Sequence, residues 1–227
     1  MMSPALAFVF TSLVVLQQPA GVRADDNQTA QTAIKEDSGG WQPLFSGKDL
    51  KHWKVTEFGG QGQVRVDDNG DVVIHEGVDL SGIASTRQDL PTTQYEVEFE
   101  AQRESGTDFF AGFTFPVGDS FCSLILGGWG GGVCGLSSLD FMDASENETT
   151  SYTSFIQGQW YKVHVRVTDR FIQAWLDGKR IVKVERQLYR IDVRFEMESS
   201  KPMGFATYQT VGRIRSARLR TLPAVNP

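Results

Sequence analysis

The chain has 227 residues, a formal net charge of -6, 40% hydrophobic residues, 23 glycines and only two cysteines. That length can bury one substantial core, and the acidic balance argues against nucleic-acid binding, whose affinity comes largely from neutralising phosphates with basic side chains. Two cysteines build neither a disulfide framework nor a Cys-rich zinc site.

The N-terminus stands apart from the rest. Ala5 to Leu16, ALAFVFTSLVVL, is an apolar run of twelve, followed by Val22 and Ala24 at the spacing of a signal-peptidase site. Twelve residues fall short of the roughly 20 that a bilayer span requires. The expectation is a cleaved signal peptide over residues 1–24 and an exported, periplasmic or extracellular chain with no transmembrane anchor left. Residues 25–40, DDNQTAQTAIKEDSGG, contain one large aliphatic side chain and read as a disordered linker. Asn27 and Asn147 lie in N-x-S/T sequons.

From Trp41 onward the pattern is that of strands. Val64 to Val66 and Val72 to His75 flank Asn69-Gly70, a turn signal. Ile83 to Thr86 is the next candidate. In Tyr95 to Gln102, Tyr95, Val97, Phe99 and Ala101 alternate with Glu96, Glu98, Glu100 and Gln102, which sends side chains alternately to a buried and a wet face. Phe109 to Phe115, Phe121 to Leu126 and Val133 to Leu136 follow. Tyr161 to Val167 alternates in the same way, and Phe171 to Leu176 and Ile181 to Val184 flank Asp177-Gly178, a strong hairpin signal. Val193 to Met197, Met203 to Tyr208 and Ile214 to Leu219 complete the set. No amphipathic helix of three turns is evident after residue 41, so the pattern predicts a single all-β domain over residues 41–222, an antiparallel sandwich or jelly roll with a short tail at 223–227. The arginines at 213, 215, 218 and 220 read as a wet edge strand.

Several groups could carry chemistry. In GGWGGGVCG, Gly127 to Gly135, six glycines surround Trp129. No Lys-Ser/Thr pair follows, which excludes a phosphate loop. Such a loop lets a ligand approach the backbone, and Trp129 either stacks on a sugar or packs over the sandwich edge. Cys122 and Cys134 flank this loop and are disulfide candidates if their strands pair in register. The stretch LDFMDASENET, Leu139 to Thr149, offers Asp140, Asp143, Glu146 and Glu148 as general bases or ligands for a divalent cation, or is simply a solvated acidic loop. Its spacing matches no EF-hand. Of the three histidines, His52 and His164 suit packing and a polar strand face, while His75 ends a strand where a side chain could reach a cleft. No Gly-x-Ser-x-Gly or His-Glu-x-x-His motif occurs.

Three segments, LFSGKDLKHWKV (Leu44 to Val55), GQWYKVHVRVTDRFIQAWLDGKRI (Gly158 to Ile181) and GFATYQTVGRIRSARLRTL (Gly204 to Leu222), resemble the 3-keto-disaccharide hydrolase domain family. The resemblance implies a concanavalin A-like jelly roll and cleavage of a glycoside oxidised at sugar carbon 3. A ketone there acidifies the hydrogen on carbon 2, so a base can form an enolate that expels the group on carbon 1, and hydration completes the hydrolysis. Such a site needs a base and an electrophile or divalent metal ion facing the enolate oxygen. His75, Asp143 and Glu146 are the catalytic or ligand candidates, and Trp129, Tyr208 and Gln209 the substrate-binding ones. The chain departs from the family at GTDFFAGFTF (Gly106 to Phe115), where many members carry an Asn-Ser-Gly-Ile strand, and at Thr210-Val211, where many carry His-Gly. These departures mark a divergent branch, for which a non-catalytic glycan-binding, lectin-like module of the cell envelope is the alternative.

Overall fold

A computed structural model describes residues 40–223. The expected signal peptide, nearly all of the expected linker, the Asn27 sequon and the chain beyond Pro223 lie outside the described residues. Among the described residues the chain forms strands β1 (Gln42–Pro43), β2 (Trp53–Val55), β3 (Val64–Val66), β4 (Val72–Ile74), β5 (Leu80–Ser85), β6 (Tyr95–Gly106), β7 (Ala111–Val117) and β8 (Ser120–Gly128). These are followed by β9 (Val133–Ser137), β10 (Ser151–Tyr152), β11 (Trp160–Val167), β12 (Phe171–Leu176), β13 (Lys179–Glu185), β14 (Gly204–Tyr208) and β15 (Thr210–Thr221). Two 3-10 segments, Arg186–Leu188 and Phe195–Ser200, are the helical elements among them.

The strands make two antiparallel sheets. The first runs β13-β12-β11-β6-β15-β4-β3, with β1 added beside β15, and the second runs β10-β9-β8-β7-β14-β5-β2. Neighbours far apart in sequence, such as β6 with β15 and β7 with β14, give the crossed connectivity of a jelly roll. The Asp177-Gly178 turn closes the β12–β13 hairpin with positive φ at both residues, 48° and 79°, as a primed two-residue turn requires.

Alternation determines what lies between the sheets. Tyr95, Val97, Phe99 and Ala101 point inward from β6 and are buried together with Phe113 of β7 and Phe205 of β14. The Phe113 and Phe205 rings stack at 4.8 Å, and Phe99 meets Phe205 edge-on at 5.1 Å. Each such ring, removed from water, contributes on the order of 2 to 3 kcal/mol. The opening motif closes one end: Trp53 packs on Phe45 and Phe205, and its indole N–H donates to the Leu44 carbonyl at 2.9 Å.

Two strand expectations are corrected here. Residues 193–197 alternate like a strand, yet the chain coils into the 3-10 segment, which buries Val193 and Met197 while Phe195 stays 87% exposed. The arginines of β15 are not on an edge, because β15 sits between β6 and β4. Each outward glutamate of β6 meets them across the strands: Arg215 with Glu100 at 2.8 Å, Arg218 with Glu98 at 2.8 Å and Arg220 with Glu96 at 2.6 Å. Arg166 of β11 also contacts Glu96, whose side chain is fully covered.

Candidate functional site

Residues that face away from the core on the second sheet make the floor of a cleft of about 430 Å³. Leu124 and Leu126 of β8 point into the core, so Ile125 between them points outward. Leu80 of β5 and Phe109, just before β7, join it, and Met197 of the 3-10 segment covers one side. Above this apolar floor the rim is polar, with Asp79, Asp108, Arg194, Glu196 and Tyr208 around it.

Trp129 stands on the rim, 42% exposed. Its loop is a built structure. Gly127, Trp129, Gly130 and Gly131 all have positive φ, 79°, 48°, 86° and 109°. Arg103 reaches from β6 of the other sheet and donates to the Gly127 and Gly131 carbonyls at 3.1 and 2.8 Å. The left-handed φ of Gly127 favours glycine, and a Cβ there would also sit 2.4 Å from that guanidinium and displace it. Asp108 completes the clamp, accepting from the Phe109 amide at 2.8 Å and the Gly130 amide at 3.1 Å.

The remaining rim groups fall into two pairs. The Tyr208 hydroxyl donates to Asp79 Oδ1 at 3.4 Å, and the Gln209 amide donates to the Val78 carbonyl at 2.9 Å and lies 3.5 Å from the same carboxylate. The Asp79 charge raises the Tyr208 phenol above its ordinary value, so the phenol stays protonated at neutral pH. Arg194 forks onto Glu196 at 3.2 and 3.0 Å and bonds Asp143 at 2.7 Å. The Arg194 hydrogen bonds hold the Glu196 carboxyl below its usual range, which makes Glu196 a poor base. Asp79, whose side-chain contacts lie at the long end of hydrogen-bond distance, is the least committed of the rim carboxylates.

Trp129 and Tyr208 therefore share the cleft, and Gln209 lies beside it. Asp143 acts one step back, orienting Arg194. His75 follows β4 of the first sheet and Glu146 is exposed on the acidic loop; neither lines the cleft. Asp79 and Arg194 have no local sequence signature, being a carboxylate before a strand and an arginine before a 3-10 turn. Among the described residues no group of three or more His, Cys, Asp or Glu side chains is arranged to hold a metal ion. Of the three cleft carboxylates, Asp108 is held by backbone amides and Glu196 by Arg194, which leaves Asp79 alone, fewer ligands than a metal site needs.

The disulfide expectation fails on register. Cys134 pairs across the sheet with Leu126, four residues along β8 from Cys122, and both thiols are free and buried. That offset is about 13 Å of strand, beyond the roughly 7 Å Cα limit of a disulfide. The Asn147 sequon is also not an open acceptor. Its side chain is buried, donating to the Leu136, Met142 and Asp143 carbonyls at 2.7, 3.1 and 2.8 Å and accepting from Thr149 Oγ1 at 2.6 Å.

Solved structures share this fold. A candidate glycosyl hydrolase from Parabacteroides distasonis ATCC 8503 superposes with a TM-score of 0.51 at 14% identity, covering 81% of this chain and 94% of that one. The Crh5 transglycosylase, solved in complex with NAG, gives 0.55 at 12% identity, covering 83% and 85%. A structure from work on endo-acting O-glycanases of the human gut microbiota gives 0.52 at 12%, covering 77% and 94%. No functionally curated protein matches. The fold is thus that of glycosyl hydrolase-like and carbohydrate-binding jelly rolls. The chain belongs to the family of 3-keto-alpha-glucoside-1,2-lyase-like domains, whose model matches residues 40–220.

Proposed function

We propose that this cleft binds a sugar ring oxidised at carbon 3 and cleaves its glycosidic bond by elimination. The observation that carries the reading is the placement, in one apolar-floored cleft, of the open Asp79 carboxylate beside the protonated Tyr208 hydroxyl, with Arg194 on the rim. Asp79 removes the proton on carbon 2, and the electron pair forms an enolate whose negative oxygen on carbon 3 faces the Arg194 guanidinium. The enolate collapses, the bond from carbon 1 to the aglycone oxygen breaks, and that oxygen takes the Tyr208 proton. Asp79 then returns its proton to Tyr208 through their hydrogen bond, and water adds to the enone. Trp129 offers a flat apolar face to the ring. The reading needs no bound cation. It places the mature chain outside the cytoplasm, supported by the apolar run from Ala5 to Leu16; among the described residues no helix is long and apolar enough to cross a membrane.

A second reading, glycan binding without turnover, is favoured by one observation: Asp108 and Glu196 are already committed, which leaves a single open rim carboxylate. The deciding experiment follows release of free 3-ketoglucose from a 3-keto-glucoside, with and without chelator. The lyase reading expects release that chelator does not change, and an Asp79→Asn variant slowed about 100-fold or more with binding retained. Retention of the sugar by the wild-type protein with no release under any metal condition overturns it and leaves the binding module.

A further inference from the structure

The floor and the rim of the cleft differ in kind. Leu80, Phe109, Ile125 and Met197 carry no side-chain group that donates a hydrogen bond, and the Met197 thioether is only a weak acceptor. The strands beneath spend their amides and carbonyls on one another: Gly112 of β7 is paired with Ile125 of β8 on one side and with Ala206 of β14 on the other. Directly opposed residues share a sheet face, so Ile125, Gly112 and Ala206 form one outward row. Gly112 keeps that row low in the middle. A Cβ there would lie 3.0 Å from the Phe109 ring and 3.4 Å from the Met197 methyl, so both side chains rest close to the backbone at that point. Phe109 packs against the cluster of Leu80, Met197 and Ala206 and also against that of Ile125, which makes the floor one continuous apolar surface.

A sugar ring does not suit that floor. Each hydroxyl laid on it would leave water and find no partner, which costs binding free energy. The polar partners that a sugar needs stand on the rim, at Asp79, Tyr208 and Arg194. The floor therefore receives the part of the substrate that has no hydroxyls. Its nature follows from the Tyr208 ring, whose centroid lies 6.1 Å from that of Phe109 with the two planes inclined by 31°. In the elimination described above, the aglycone oxygen takes its proton from Tyr208, so the group attached to that oxygen starts beside Tyr208 and meets Phe109 next. A flat aglycone finds an aromatic ring to stack on there and the Met197 thioether at its edge, both favourable contacts for a second aromatic ring.

We propose that the floor of the cleft is an aglycone site for an aromatic ring, so that the preferred substrate class is a 3-keto-glycoside of a phenol and not of a second sugar. This rests on the rim taking the oxidised sugar. The experiment measures KM for the phenyl, methyl and glucosyl 3-keto-glucosides with wild type and Met197→Gln, together with binding of the unoxidised phenyl and methyl glucosides by calorimetry. The wild type is expected to have a KM about tenfold lower for the phenyl substrate than for either other one, and Met197→Gln to bring the phenyl-to-methyl ratio toward one. A general loosening of the structure would move both KM values together and leave their ratio as it was. If circular dichroism shows that Met197→Gln has not folded, Phe109→Leu takes its place. Equal KM values for phenyl and methyl, a preference for the glucosyl aglycone, or a phenyl preference that the folded variant keeps overturns the aromatic site and leaves the cleavage reading standing. If no substrate is cleaved, the cleavage reading fails and calorimetry decides the floor: tighter binding of phenyl than methyl glucoside, reduced in the variant, supports the site, and equal binding overturns it.

Discussion

Arg103 Nη2 lies 2.8 Å from the carbonyl oxygen of Gly131, so a charged side chain of the first sheet fixes the loop that carries Trp129 at the edge of the second. The guanidinium is nearly buried, lies 5.1 Å from the centre of the Phe110 ring, and spends its bonds on backbone carbonyls. Burial lowers its affinity for the proton below the usual arginine value, yet it remains charged at any physiological pH. Arg103→Met is expected to lower stability by about 2 to 3 kcal/mol, read by denaturant unfolding, because two buried carbonyls lose a charged donor. It should also weaken glycan binding through the released loop, whereas a purely structural role would leave binding by the folded fraction unchanged.

Trp129→Ala removes the ring itself and leaves the clamp in place. Glycan affinity is expected to fall by about 1 to 3 kcal/mol, measured by calorimetry, with the unfolding midpoint nearly unchanged because the side chain is partly exposed. A large loss of stability with unchanged affinity would mean that Trp129 packs against the sandwich edge instead of serving the cleft.

Glu96 makes stability depend on pH. Its burial alone would raise the carboxyl, but hydrogen bonds from Arg220 and Arg166 outweigh that and hold it below the usual range. A depressed folded value means that its contribution is present above the unfolded value of about 4.3 and is lost as pH falls through the folded value. His164, stacked on Trp175 at 4.6 Å, acts in the same direction for a different reason. Burial lowers its value, so the unfolded chain takes up a proton first as pH drops below about 6.5. Stability should therefore decline in two steps on acidification. His164→Gln should remove the upper one, and Glu96→Gln, less stable than wild type at pH 7, should converge with it in acid.

Cys122 and Cys134 are expected to behave as buried thiols. Burial pushes the Cys122 thiol up to about 12 and raises Cys134 as well, so neither forms thiolate readily at neutral pH. A thiol reagent should label both only after unfolding, and reductant should leave the melting temperature unchanged. A fall in melting temperature on reduction would place the two sulfurs together and contradict the register of β8 and β9.

The candidate site was only partly legible before the fold was known. Trp129 announced itself through its glycines, and Tyr208 and Gln209 through the closing motif. Asp79, Asp108 and Arg194 lie 115 residues apart at their extremes and meet because β5, β7 and the 3-10 segment converge on one face, which no local pattern encodes. The acidic loop drew attention by composition, yet Asp143 serves Arg194, and Asn147 serves the loop's own Met142 and Asp143 carbonyls and the Leu136 carbonyl of β9.

Period-two alternation, turn dipeptides and the opening motif were enough to determine an antiparallel sandwich, because a strand's two faces are written into every second residue. Which strands lie side by side is decided by packing between segments far apart in the chain. That is why β15 is central and its arginines meet the β6 glutamates, why Cys134 faces Leu126 and not Cys122, and why the cleft draws its rim from five separate stretches of sequence.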